Sequence, residues 1–256
     1  MKQYNGEKYI LSFTTFPERF EDAARMVFNF IDQGIKDFHI VCTLFKDDYE
    51  KLSGSLATMA DADLFEIIVA EDNLCPHLKY FYAMKKYEEL PIITVDDDRL
   101  YDLRILNALV SKYESIKYKS IISVCAPVMS RTGNLIDVQT KWCTPGRRLP
   151  PNKVSYVAMA EGFAGVLYPP HCFKDLDDEM EGIKNALFHD DLYLKVLAIK
   201  NRVPVTQIDG KAENFYNIEL SNADSTNLAT RHNAPIKYRC DVVSLFNDAL
   251  IKGFQL

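Results

Sequence analysis

Short apolar runs alternate with stretches of helical spacing along the first half of the chain. Residues 9–14 form an apolar run that ends in a hydroxyl residue, Thr14, with Thr15 directly after it. Phe20, Ala24, Val27 and Ile31 then recur on one helix face, which predicts a helix over 18–33 that Gly34 terminates. Residues 38–44 and 64–69 predict a second and a third strand, with a helix over 46–59 between them. Leu78, Phe81, Met84 and Tyr87 predict a third helix, and residues 92–95 a fourth strand. A helix over 103–113 and a strand over 120–124 follow. Strands alternating with helices predict an α/β fold, a mostly parallel sheet flanked by helices on both faces. Such sheets bind ligands beyond the carboxyl ends of their strands.

The pattern changes after about Cys125. Residues 126–170 are rich in Pro and Gly and hold the single tryptophan, Trp142. Within them, 161–170 is a glycine-punctuated apolar segment that predicts a strand or hairpin with close backbone approach at Gly162 and Gly165. Residues 189–201 predict a buried helix, with Leu192, Val196 and Ile199 on one face and Leu194 and Ala198 on another. A strand over 203–208, an irregular polar stretch over 211–235 and a last helix near 241–251 complete the reading. The second half is less regular than the first, but one domain over 1–256 accommodates both.

Composition narrows the function. Over 256 residues, 48% hydrophobic and 26% charged positions suit an ordinary globular core. A net charge of -6 argues against nucleic acid as the main partner, although Lys141, Arg147 and Arg148 form a local basic cluster. The six cysteines are scattered without a C-x-x-C pair, as expected of reduced thiols in a cytoplasmic protein. No signal peptide is visible and no apolar stretch approaches the ~18 residues of a membrane span. Peripheral contact with the inner face of a membrane stays open.

The candidate chemistry is acidic. Asp96, Asp97 and Asp98 directly follow the apolar residues 92–95. Three adjacent carboxylates repel one another, and a hard divalent cation, Mg2+ or Mn2+, relieves that repulsion. Capping the next helix would need only one of them. Strand alternation pairs Asp96 with Asp98 and turns Asp97 elsewhere. Asp98 is then the direct metal ligand, and Asp96 binds a ribose hydroxyl or the metal through water. A second cluster, His189-Asp190-Asp191, starts the late helix, where Asp190 serves as an N-cap or the pair supplies a general base. At the first strand-to-helix turn, Thr14, Thr15 and Phe16 suit a nucleotide base and ribose, and Arg19 reaches a phosphate or lies at the surface. Lys79 is a candidate contact for the diphosphate or the nucleotide. Trp142 stacks on a sugar or packs in the core, and His232 reads as a solvated loop residue.

These motifs occur together and in order: Ser12 to Phe20 at the first turn, Lys79 to Tyr87, Val95 to Tyr101, Gly162 to Pro170, and Asp190 to Lys195. In this the chain resembles GT-A-fold glycosyltransferases, in particular bacterial transferases of capsule and lipopolysaccharide loci. The resemblance covers roughly residues 8 to 205. It implies a nucleotide-sugar donor, a UDP-sugar first, bound by the half up to about residue 125. Mn2+ or Mg2+ would be held by the aspartate triplet, and a glycan or lipid-linked acceptor by the rest of the chain. It further implies that Asp191, with Asp190 as runner-up, deprotonates the acceptor hydroxyl, and that Gly162 and Gly165 let backbone approach the sugar or acceptor. His189 and Tyr193 depart from the small residue and Trp common there. The implied activity is hexosyl transfer. A sugar nucleotidyltransferase would want a Gly- and Arg/Lys-rich first turn, which Thr14-Thr15-Phe16-Pro17 is not. A nucleotide- or glycan-binding module, or an inactive relative, would not require both acidic clusters.

Overall fold

The computed structural model describes residues 6–117, 119–128, 131–132, 135–136, 149–208 and 215–220. Trp142, His232, the basic cluster and the helix near 241–251 lie outside the described residues.

Among the described residues, eight strands form one sheet. In chain order its members are β1 (Tyr9–Thr14), β2 (Phe38–Phe45), β3 (Glu66–Ala70), β4 (Ile92–Thr94), β6 (Ile121–Ser123), β9 (Val154–Ser155), β10 (Val166–Tyr168) and β11 (Val205–Gln207). Across the sheet they run β3-β2-β1-β4-β10-β6-β11-β9. β1, β2, β3 and β4 are mutually parallel where they pair, and β6 is parallel to β11. β10 runs antiparallel between β4 and β6, and β9 antiparallel at the edge. β5 (Arg99–Tyr101) forms a separate ribbon with β12 (Asn217–Glu219), and β7 (Arg131–Thr132) pairs with β8 (Leu135–Ile136). The mostly parallel sheet follows the sequence expectation. The reversed β10 does not, and it positions the site: Val166 pairs with Thr94, so the turn before β10 arrives where β4 ends.

Helices cover both faces because the strands are apolar on both sides. Leu11 and Phe13 of β1 pack with α1 (Phe20–Asp32), α3 (Gly54–Asp61) and α5 (Leu103–Ser115) through Val27, Phe30, Leu56 and Leu106. Ile10 points to the other face, against Ala83 of α4 (Phe81–Lys86). Val166 and Tyr168 join that side's larger cluster with α6 (Met180–Asn185) and α7 (Asp190–Lys200). Each such apolar side chain is worth about 1.5–3 kcal/mol when fully buried.

Three elements differ from their sequence expectation. The helix expected over 46–59 is two pieces, α2 (Lys46–Tyr49) and α3, which starts afresh at Gly54 with φ +68. The Glu21 carboxylate then accepts from the Ser55 N–H and hydroxyl at the start of α3. The third helix opens as a tight 3-10 turn, Cys75–Lys79, before α4. Gly162 to Ala164 is also a 3-10 turn, closed by Gly165 at φ +90. The four described cysteines, Cys42, Cys75, Cys125 and Cys172, are free thiols. No helix among the described residues is long and apolar enough to cross a membrane.

Helix α7 is buried on all sides, Lys195 included. The Lys195 ammonium is buried with no hydrogen-bond partner among the described residues, and burial pushes its pKa down to about 7. The unfolded chain holds that proton up to about pH 10.5, so between about pH 7 and 10.5 it binds more protons than the folded protein. Stability from this group therefore rises with pH across that window, and its full cost falls below pH 7. Lys195→Met is expected to stabilise the protein by about 3–5 kcal/mol at pH 6 and by much less at pH 9.5. Urea unfolding at the two pH values checks it; equal gains at both would contradict the assignment.

Candidate active site

The aspartate triplet stands on the rim where β4 ends. It does not extend the strand: Asp97 and Asp98 form the turn into β5. The expected pairing of Asp96 with Asp98 is therefore corrected, because alternation holds only while the chain is extended. Arg19 Nη1 lies 3.0 Å from Asp97 Oδ1 and 3.0 Å from Asp98 Oδ2, joining these two. Asp96 turns the other way, 3.0 Å from Lys79 Nζ. Capping of the following helix falls to Asp102, whose carboxylate accepts from the Arg104 N–H. The triplet is thus not committed to ending or starting a helix.

Lys79 is the centre of the arrangement. The 3-10 turn delivers it under β1, where the Ser12 hydroxyl donates to its carbonyl at 2.7 Å. Its ammonium, 7% exposed, lies between Asp96 and Asp190, 2.6 Å from the Asp190 carboxylate. Burial alone would drain its proton, but Asp190, Asp96 and Asp191 outweigh burial and raise its pKa well above the ordinary lysine value. Two clusters about a hundred residues apart in sequence are thereby joined through one cation.

Asp190 and Asp191 open α7 and behave differently. Burial pushes both toward the protonated form. At Asp190 the Lys79 ammonium overcomes burial and holds the pKa below the ordinary value. Asp191 has burial and the Asp190 charge against it, and its pKa rises to about 8. Both Asp191 oxygens accept from the Gly162 N–H at 3.1 Å. His77 is fully buried. Its Nε2–H donates to the Ala186 carbonyl at 3.1 Å, so Nδ1 accepts from the Tyr80 hydroxyl at 2.8 Å. Burial lowers its pKa to about 4, which keeps it neutral beneath Asp190.

Gly162 touches both halves. A Cβ there would stand 2.9 Å from Lys79 Nζ and 2.9 Å from Asp191 Oδ1. Gly162→Ala is expected to displace one of these groups, costing about 1–3 kcal/mol of stability and roughly 10²-fold in kcat. Urea unfolding and steady-state kinetics check this. An alanine variant with unchanged kcat would show that the contact does not matter to the reaction. Gly165 serves the turn differently, through its positive φ.

The remaining residues of the first turn are spread out. The Thr14 hydroxyl donates to the Thr43 carbonyl at 2.7 Å and is occupied by the sheet. Thr15 is buried, and burial lifts Asp97 to about 6 against the pull of the Arg19 cation. Phe16 is partly exposed, and the Arg19 guanidinium lies 5.3 Å above its ring. Tyr101 is a member the residue reading did not assign. Its hydroxyl accepts from the Asp96 N–H at 2.9 Å and donates to the Phe163 carbonyl at 3.1 Å, tying the triplet to the Gly162 turn. Asn217 donates to the same carbonyl at 2.9 Å. In the sequence Tyr101 stands out only as the last residue of the motif Val95 to Tyr101, three residues after Asp98.

No family model matches the chain, and no curated protein matches it in sequence. Solved structures do share its fold. One is TarS 1-349 of S. aureus in complex with UDP-GlcNAc: TM-score 0.56, 13% identity, covering 96% of this chain and 67% of that one. A second is the same TarS fragment in complex with UDP: TM-score 0.52, 11% identity, 96% of this chain and 66% of that one. The inositol-1-phosphate CTP transferase of T. maritima matches at TM-score 0.45 and 13% identity, over 97% of this chain and 98% of that one. This chain spans about two thirds of the TarS fragment. The sheet is thus of the Rossmann-like α/β class, and at such identities the likeness speaks for the fold alone.

Proposed function

We propose that the protein is a glycosyltransferase, moving a hexosyl group from a nucleotide-diphosphate sugar to a hydroxyl of a glycan or lipid-linked acceptor. The observation that carries this reading is the Lys79 bridge, which brings the strand-end aspartates and the α7 carboxylates to one rim. UDP and UDP-GlcNAc bound to TarS make a uridine nucleotide the first donor to test. Synthesis of cell-surface polysaccharide at the cytoplasmic face of the membrane is the setting in which such an acceptor is met.

The residues fit a divalent cation of the Mg2+ or Mn2+ type. Asp98 carries hard oxygen donors, and beside it Asp97 Oδ2 is a buried oxygen with no hydrogen-bond partner among the described residues. No three acidic, His or Cys side chains among the described residues converge as a metal site. The protein would supply one carboxylate, Asp98, because Asp96 turns away to Lys79, and leave the rest of the shell to diphosphate and water, as Mg2+ prefers. When bound, the cation neutralises the diphosphate leaving group.

Asp191 takes the acceptor proton as the acceptor oxygen bonds to the anomeric carbon and the bond from that carbon to the diphosphate breaks. Asp190 is the poorer base, because Lys79 already claims its charge at 2.6 Å. Asp191 holds only a backbone N–H and has the higher proton affinity. Lys79 keeps Asp190 ionised and lies within reach of the donor side. Asp98→Asn is expected to cut release of UDP from a UDP-sugar in the presence of acceptor and Mn2+ by at least ~10²-fold, with an unchanged melting temperature. Near-normal turnover by that variant would remove Asp98 from the reaction.

A further inference from the structure

Arg19 neutralises the aspartates before any ligand arrives. One nitrogen, Nη1, is 3.0 Å from both Asp97 and Asp98, and the three side chains are only 9%, 7% and 11% exposed. The guanidinium is delivered by the tight turn Pro17–Arg19 and lies over Phe16, so the polypeptide holds it in place. A divalent cation on Asp98 Oδ2 would sit within a few ångströms of this guanidinium, and two cations at that distance in a poorly solvated site repel strongly. Asp97 is more deeply buried than Asp98, so Asp97 is the partner that Arg19 keeps and Asp98 the one it can release.

We propose that Arg19 is a positioning residue: a built-in counter-ion that closes Asp98 to a bare divalent cation and yields it when the cation arrives with a nucleoside diphosphate. The phosphates supply the negative charge that draws the guanidinium off Asp98. Metal and nucleotide then bind with mutual cooperativity, each weak without the other. The inference rests on the reading that Asp98 is a metal ligand.

Electron paramagnetic resonance of free Mn2+ tests it, titrating wild type, Arg19→Gln and Arg19→Lys with Mn2+ alone and with Mn2+ plus UDP. Wild type is expected to bind Mn2+ weakly alone and at least ~10-fold more tightly with UDP, within the usual range of coupling between sites. Arg19→Gln is expected to bind Mn2+ alone at least ~10-fold more tightly than wild type and to gain little from UDP. Removing a buried cation endangers folding. Arg19→Lys keeps the charge on a shorter side chain and should move in the same direction, by at least ~3-fold. Equal affinity for Mn2+ alone in wild type and whichever variants fold, with wild type still binding Mn2+ plus UDP, overturns the inference and leaves the metal reading standing. No Mn2+ binding by wild type, with or without UDP, overturns both.

Discussion

Asp191→Asn is expected to slow sugar transfer by ~10²–10⁴-fold while making the folded protein more stable at pH 8. The two effects share one cause. Burial and the Asp190 charge raise the Asp191 pKa to about 8, against 3.8 for an ordinary aspartate. Between about pH 4 and 8 the folded protein therefore holds a proton that the unfolded chain has lost. Stability from this group falls as pH rises through that window and is lowest above it. An amide cannot ionise, so the variant escapes the loss but has no basic oxygen. Wild-type rate should also rise with pH along a limb near 8, as a base with this proton affinity must first lose its proton. Steady-state rates and urea midpoints at pH 5 and 8 test all of this together. A variant that is inactive and also less stable at pH 8 would assign Asp191 to structure instead. If Asp190→Asn abolished turnover and Asp191→Asn did not, the roles of the two would be exchanged.

Lys79→Met is expected to destabilise the protein by about 3–5 kcal/mol. The lysine is 7% exposed and faces two carboxylates at 3.0 and 2.6 Å, which methionine would leave uncompensated. The cost should depend on those partners. In an Asp190→Asn background the same substitution should cost less by at least ~1 kcal/mol, because one of the stranded charges has gone. Additive losses would mean that the two residues do not interact. The single variant should also lose transfer, as Asp190 would then compete with Asp191 for the shared proton.

Legibility in the sequence followed the range of the interactions. Residues 92–95 announced a buried strand, and the aspartates after it announced a rim, because strand patterning and charge repulsion are local. The helix over 190–200 was readable from its apolar faces. The split of α2 from α3 was hidden by apolar residues that continue past Gly54, the positive-φ residue at which α3 starts afresh. The direction of β10 was not legible either: three apolar residues read the same way in a parallel or an antiparallel pairing. Lys79 was legible as a charge near the donor side, but its second partner at position 190 depends on β10 and α7 folding back over the rim. Arg19 looked equally suited to a phosphate or to the surface. Only the turn after Thr94 lets it reach both Asp97 and Asp98.

The central claim, a nucleotide-sugar site built across Lys79, is tested most directly by the melting temperature of the protein with UDP-, GDP-, CMP- and dTDP-sugars, each with and without Mn2+. A ligand that binds only the folded state raises that temperature by mass action. The account expects a rise of several degrees with one nucleotide class, UDP-sugars first, that depends on Mn2+ and is lost in Asp98→Asn. No rise with any donor, under conditions where the protein melts cooperatively, would contradict it.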